Sequence, residues 1–342
     1  MTLIQQFSRA ARWLGFGAIG VVVALAGCFT WLEHSMATAG PLQAPLVMVV
    51  EPGRSVQGVV NQLERESAIH NALVVRLWAR WNNLGSRLQA GEYRFAVAAS
   101  AQQILTQLTT GDVLLHPVRI KEGVTVAELL ATLKQEVILR QEIRATTGAA
   151  LKQELALEVA FAEGYFLPET YYVRRNDSDR SVLVRANRSM QEQLAKAWSS
   201  RAPGTTLASQ ADLLILASII EKESSLETDR FQISQVFHSR LAVNMRLQTD
   251  PTVIYALGTE FDGDLRRRDL RVDSPYNTYR RRGLPPTPIA LPSLSSLQAA
   301  AHPAEGDFLY FVAKGDGTSA FSRTLAEHNR AVRRYQLKRE QP

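Results

Sequence analysis

The chain has 342 residues, 46% of them hydrophobic, and its 39 Lys and Arg outnumber 33 Asp and Glu for a formal charge of +6. That composition suits a folded chain with a sizeable core and excludes wholesale disorder, while the small positive excess fits an anionic surface or wall polymer without identifying either. Cys28 is the single cysteine, which excludes an internal disulfide, and beyond it the chain has no thiol for a zinc site or a cysteine nucleophile.

Residues 13–32 carry no formal charge, and at about 1.5 Å per residue such a stretch covers a hydrocarbon core of about 30 Å. Arg9 and Arg12 precede it and Glu33 follows. The positive-inside bias then keeps residues 1–12 in the cytoplasm and sends the remainder outside. A cleaved signal peptide is the rival reading. Leu25-Ala-Gly-Cys28 also resembles a lipobox, although Phe29 to Leu32 continue the apolar run where a lipoprotein usually turns polar.

Small residues with Gly40, Pro41 and Pro45 read as a linker over 33–45. Leu46 to Val50 reads as a strand and Glu51-Pro52-Gly53 as a turn. Ser55 then caps a helix whose Val56, Val59, Val60 and Leu63 share a face. The same grammar recurs at Val118 to Ile120, Glu122-Gly123 and Thr125-Val126, with Leu133 matching Leu63. Two copies are too few for a solenoid and predict a small α+β domain with a pseudo-repeat over 46–135. Turn-rich residues 85–94 and an amphipathic stretch around Ile104–Leu108 connect the copies.

A second, mixed α/β domain is expected over 136–340. Helical patterns are read at 151–161, 182–198, 231–241 and 325–337, with a short strand at 309–312 and a proline-rich, loop-like stretch after Asp273. Ser209 and Asp212 form a capping-box pattern, and Leu213 to Ala217, Ile219 and Ile220 predict a helix buried all round. Glu223 falls on the strip of Leu216, Ile219 and Ile220. A carboxyl at the end of a buried strip loses water, which raises its pKa and makes a general acid near neutrality. The plainer reading is a helix end whose Glu221 and Glu223 are solvated beside Lys222.

Other chemistries lack their residues. No phosphate-cradling glycine loop, HExxH, paired-histidine or GxSxG pattern occurs, and the six histidines lack ligand spacing. Arg266–Arg268 and Arg280–Arg282 are basic, but acidic neighbours and an exported location argue against nucleic acid. What remains is aromatic and carboxylate material in loops. Tyr165, Phe166, Tyr171 and Tyr172 cluster with Glu163 and Glu169, and Tyr255, Tyr276 and Tyr279 with Gln248, Asp250 and Asn277. Flat rings with amide and carboxylate acceptors suit a sugar groove; the alternative is that the rings plug loops against the core.

The segments EGYFLPETYY, ASIIEKES, RLQTDPTVIYALG, SPYNTY, GLPPTPIA, AAAHP and LYFV, with His328-Asn329, resemble the MltG (YceG-like) family of endolytic peptidoglycan transglycosylases, in the same order and from about Leu46 to Tyr335. The resemblance implies a single-pass inner-membrane protein with a small LysM-like domain ahead of an extracytoplasmic catalytic domain. It implies glycan-strand cleavage with Glu223 as catalytic residue, no cofactor or metal, and glycan-polymerising synthases as partners. A wall-binding scaffold without catalysis and a muramidase cutting the same bond are the alternatives. Departures from the family pattern fall at Ser239, where Asn is usual, and at Thr287 and Ser293, where Gly is usual. If those glycines serve positive φ, the loop conformation changes.

Overall fold

Both copies of the strand–turn–helix pattern form, but they belong to different units. In the computed structural model, which describes residues 3–224 and 226–336 (the backbone alone for 3–18), the chain divides into units of residues 1–116 and 117–342.

The first unit contains α1 (Leu3–Ala37), β1 (Leu46–Val50), α2 (Val56–Arg65), α3 (Ala72–Trp81), β2 (Gly91–Phe95) and α4 (Ala101–Thr110). β1 and β2 pair antiparallel from Leu46 opposite Phe95 to Val50 opposite Gly91. Gly53 makes the turn after β1 with φ +77°, and Ser55 caps α2 by accepting from the Gly58 N–H. The face of Val59, Val60 and Leu63 is fully buried against Met48, Tyr93, Phe95 and Leu105. Helix α3 lies in a stretch given no element from the sequence; only Arg76 and Arg80 interrupt its apolar residues, so no polar face stands out, yet Asn71 caps it and Val74, Val75 and Ala79 are buried.

Helix α1 runs beyond the charge-free stretch into the residues read as linker. After Leu32 no Gly or Pro occurs before Gly40, and Met36, 1% exposed, docks into the core. The linker is therefore shorter than 33–45 predicts. Residues 19–37 are long and apolar enough to cross a membrane and are almost wholly unburied by protein. The expectations for Arg9 and Arg12 concern side chains outside the described residues.

Strand β3 (His116–Arg119) leads into the second unit, which adds α5 (Val126–Gln135), α6 (Gly148–Glu154), β4 (Thr170–Val173), α7 (Asp179–Ser200), α8 (Gln210–Glu223), α9 (Glu227–Ala242), α10 (Asp250–Leu257), α11 (Leu294–Ala301), β5 (Tyr310–Ala313), β6 (Ser319–Ser322) and α12 (Leu325–Tyr335). β3 pairs with β4 and β5 with β6. The architecture is mixed α+β.

The second copy of the pattern is β3, a turn at Gly123 (φ +70°) and α5 capped by Thr125. Its Val126, Leu129, Leu130 and Leu133 pack with Leu151, Phe166, Val173 and Leu291. That shared core assigns it to the second unit and places the boundary earlier than position 135. Helix α6 also differs from the 151–161 reading: Thr147 caps its start, and Ala156 at φ +50° turns the chain out of helix. α10 and α11 occupy stretches for which the residue pattern predicted no helix.

Candidate active site

Helix α8 is the axis of the second unit. The Ser209–Asp212 capping box is formed, and Leu213 to Ile220 are all buried. α8 packs against α7, α9, α10 and α11, so its last turn is delivered from the core to the site at a fixed height. Glu223 ends the helix. The residue keeps some exposure, but its carboxyl is crowded by protein, and that loss of water pushes its pKa up to about 7. A hydrogen bond donated by the Thr249 hydroxyl and the charge of Arg240 oppose the rise, whereas Asp250 adds to it. A helix carboxy-terminus disfavours an anion as well. The carboxyl therefore holds a proton near neutrality and can return to the charged form.

Two loops position its partners. Thr249 donates from Oγ1 to Glu223 Oε1. It is held in turn by its backbone N–H to Thr278 Oγ1 at 3.1 Å, and Thr278 shares a 2.8 Å hydroxyl contact with Thr252. Gln248 reaches this arrangement with φ +49°, a left-handed conformation costly for a side-chain-bearing residue. Its N–H donates to the Thr278 carbonyl. Tyr279 donates to Asp250 Oδ1 at 2.6 Å; burial and that bond hold its phenol well above the usual range. Arg240 is clasped by the carbonyls of Leu309 and Leu247 and stands over the Tyr310 ring. It biases Glu223 electrostatically, and among the described residues no ion pair joins the two.

Glu221, one helical position from Lys222 and two from Glu223, has the opposite environment. It pairs with Arg230 at 3.1 Å, the two side chains being 5% and 9% exposed. It also accepts from the Ser293 N–H, the Ser293 hydroxyl and the Ser296 hydroxyl at 2.9, 2.5 and 2.8 Å. This carboxylate is saturated and ties α8 to α11; it is not presented to a substrate.

A second carboxyl with a raised pKa lies nearby. Glu163 accepts from the Val126 N–H at 2.9 Å and from the Tyr255 hydroxyl at 3.3 Å. Burial pushes it up to about 7 against both hydrogen bonds. It lines a cavity of about 610 Å³ together with Thr125, Glu128, Lys222, Pro251 and Tyr255. Lys222 and Pro251 are the chain neighbours of Glu223 and Asp250, so this cavity adjoins the carboxy-terminal end of α8. A second cavity of about 480 Å³ shares Gly148, Glu163 and Tyr255 and adds Lys152, Tyr276 and Thr287. Gly164 permits the turn beneath them: at φ +82°, a Cβ would come within 2.7 Å of Pro288.

The residues singled out from the sequence divide into two groups. Around Glu223 the structure gathers Asp250 and Tyr279, with the exposed Gln248 on the same loop. Tyr276 lines the smaller cavity, its ring 4.9 Å from that of Tyr255 and its hydroxyl 2.9 Å from Thr287 Oγ1. Phe166 is 0% exposed and Tyr165 8%, so both rings are core and offer no face to a ligand. Asn277 is fully buried and clasps its loop through the carbonyls of Leu270 and Val272 and the Tyr279 N–H. Glu169 is exposed ahead of β4, where its carbonyl accepts from the Ile120 N–H. Thr249 and Arg240 were not picked out from the sequence, and Glu163 and Tyr255 figured there only as members of its aromatic and carboxylate clusters. All but Arg240 lie within its quoted segments, which was the available signal. The departures are benign: Ser293 has φ −70° and caps α11, and Thr287 is not among the positive-φ residues.

Comparison with known proteins gives the family. The YceG-like family matches residues 48–334. An endolytic murein transglycosylase of Bacillus subtilis is 32% identical over 84% of this chain and 83% of its own length. One from Streptococcus pneumoniae is 26% identical over 83% of this chain and 57% of its own. A crystal structure of a yceG-like protein from Listeria monocytogenes superposes with a TM-score of 0.51 at 31% identity, covering 84% of this chain and 98% of that one. With the match covering most of the chain, from residue 48 to 334, the chain belongs to the YceG-like family.

Proposed function

We propose that this protein is a murein transglycosylase that cuts peptidoglycan strands with Glu223 as its acid and base. The observation that carries the reading is the Glu223 carboxyl, set at the end of a helix whose Leu213 to Ile220 are all buried and held at a pKa of about 7. Protonated Glu223 donates to the glycosidic oxygen between N-acetylmuramic acid and N-acetylglucosamine, and the bond to the anomeric carbon breaks. The resulting carboxylate takes the proton from the C6 hydroxyl of the muramic acid, whose oxygen closes on the anomeric carbon as a 1,6-anhydro ring. No water enters the product, and Glu223 ends protonated again. One carboxyl suffices because the nucleophile belongs to the substrate, with the effective molarity of an intramolecular reaction. A hydrolase normally flanks the bond with two carboxyls.

The family's character supports an inner-membrane anchor in α1, extracytoplasmic placement of both units, a LysM-like role for the first, endolytic cleavage of nascent strands and cooperation with glycan-polymerising synthases. Tyr276, Tyr279, Gln248 and Asp250 are the proposed substrate contacts. Mass spectrometry of digested glycan is the test. Anhydro ends with the wild type and none with Glu223→Gln are expected; reducing ends would make the enzyme a muramidase, and full activity of the variant would move the acid elsewhere.

A further inference from the structure

Helix α3 carries an apolar stripe that the rest of its unit leaves uncovered. Leu73, Leu77 and Trp81 follow one another at helical i, i+4 and i+8 spacing and so share a face. They are 60%, 54% and 75% exposed, while Ala72, Val75 and Ala79 on the other side are buried. A contiguous row of large apolar side chains in water marks an interaction surface.

Three observations identify what covers it. The Trp81 ring lies 6.1 Å from that of Phe29 on α1, inside the charge-free stretch 13–32. The surface of α1 leading to it is itself bare: Val21, Val22, Val23 and Leu25 are 59–65% exposed and Trp31 58%. The stripe on α3 is thus continuous with the lipid-facing surface of the anchor helix. Charge points the same way. No Asp or Glu occurs from Ser67 to Gly91, whereas Arg76 and Arg80 lie on α3 and Arg87 follows it. Tryptophan at the edge of an apolar stripe, with arginine beside it and no acid, is the chemistry of a helix lying in a headgroup layer.

We propose that α3 is a second membrane contact, lying in the interfacial plane of an anionic phospholipid bilayer. Leu73, Leu77 and Trp81 enter the upper acyl region, and Arg76 and Arg80 meet phosphate headgroups. This rests on the reading of α1 as a membrane anchor. The contact adds a second point to the attachment through α1 and fixes the first unit against the bilayer surface.

The test uses the full chain with Cys28→Ser and one added cysteine at Leu77, Leu73, Val22 or Val137, each carrying an environment-sensitive fluorophore. Val137 is 99% exposed in the second unit and serves as the solvent reference. The proteins are placed in nanodiscs of phosphatidylethanolamine and phosphatidylglycerol doped with nitroxide lipids labelled at the headgroup, or shallow or deep in the acyl chain. Val22 is expected to be quenched most by the deep label. Leu77 and Leu73 should be quenched by the headgroup and shallow labels several-fold more than Val137. Leu77 and Leu73 matching Val137 while Val22 is quenched would overturn the α3 contact and leave the anchor intact. Val22 unquenched would sink the anchor reading itself and the α3 contact with it. Blue-shifted emission at Leu77 without lipid quenching would mean that a second copy of the chain covers the stripe, and would also overturn the proposal.

Discussion

Glu221 and Glu223 show how far environment separates two identical side chains two residues apart. Glu221 has Arg230 and three further donors; Glu223 has Thr249 and little else to offset burial. The acid step needs the protonated form, so kcat/KM should fall as pH rises through about 7. Glu223→Gln should lower activity by roughly a hundredfold or more and yet raise thermal stability at pH 8. The sign follows from linkage. A carboxyl ordinarily near 4.5 and raised to about 7 on folding binds its proton more tightly in the native state. Its stabilising contribution is complete below pH about 4.5 and lost as pH rises to about 7, a change on the order of 3 kcal/mol. The amide cannot ionise and escapes that loss, so a lower melting temperature for the variant at pH 8 would refute the buried-carboxyl account. Glu221→Gln should do the reverse: it strands the buried Arg230 and costs about 3–5 kcal/mol in chemical denaturation. The pH at which kcat/KM falls should stay where it is. Position 223 was legible because desolvation follows from a run of apolar residues along one chain segment. The structural job of 221 was not, because its partners lie on α9 and α11.

At the scale of elements, in the proposed mechanism α8 supplies the acid and two loops tune it. Thr249 reaches Glu223 only because Thr278 and Thr252 fix the loop before α10. The Thr249 hydroxyl bonds the charged form and so lowers the Glu223 pKa against the effect of burial. Thr249→Val, close in shape, should therefore raise that pKa by about one unit, given the strength of hydrogen bonds to charged groups. The basic limb of the kcat/KM profile would move upward, and an unmoved limb would show that the contact does not form in solution. Legibility of the elements followed their length and pattern. The capped, wholly apolar α8 and the repeated strand–turn–helix copies declared themselves. α10 and α11, of eight residues each, span too few turns for an apolar period to rise above chance, and α3, interrupted only by Arg76 and Arg80, is too apolar for a polar face to mark it as a helix. Tyr165 and Phe166 looked like groove rings because a loop rich in aromatics and carboxylates has the same composition whether it lines a cleft or plugs a core; β4 and α7 turned them inward.

At the scale of the whole molecule, stability must come from packed cores, since Cys28 is the only cysteine. Helix α1, the proposed membrane anchor, takes part in one of those cores. Met36 is 1% exposed within the first unit and Leu32 packs at its edge, so α1 continues past its apolar stretch into the core. Soluble versions should therefore depend sharply on where they begin. A chain starting at Trp31 keeps Leu32 and Met36 in place. One starting at Thr38 loses both, and removal of a buried Met-sized side chain costs about 2–5 kcal/mol. Melting followed by circular dichroism should show the first unit of the shorter version unfolding at clearly lower temperature, with the second unit unchanged. Equal melting of the two versions would mean that Met36 is dispensable to the core. The longer version also isolates what anchoring adds. On soluble glycan its kcat/KM should match that of the full chain, because the site lies wholly in residues 117–342. On glycan still attached to a bilayer it should fall well behind, because confinement to the same surface raises the effective concentration of enzyme and strand without altering the chemistry at Glu223.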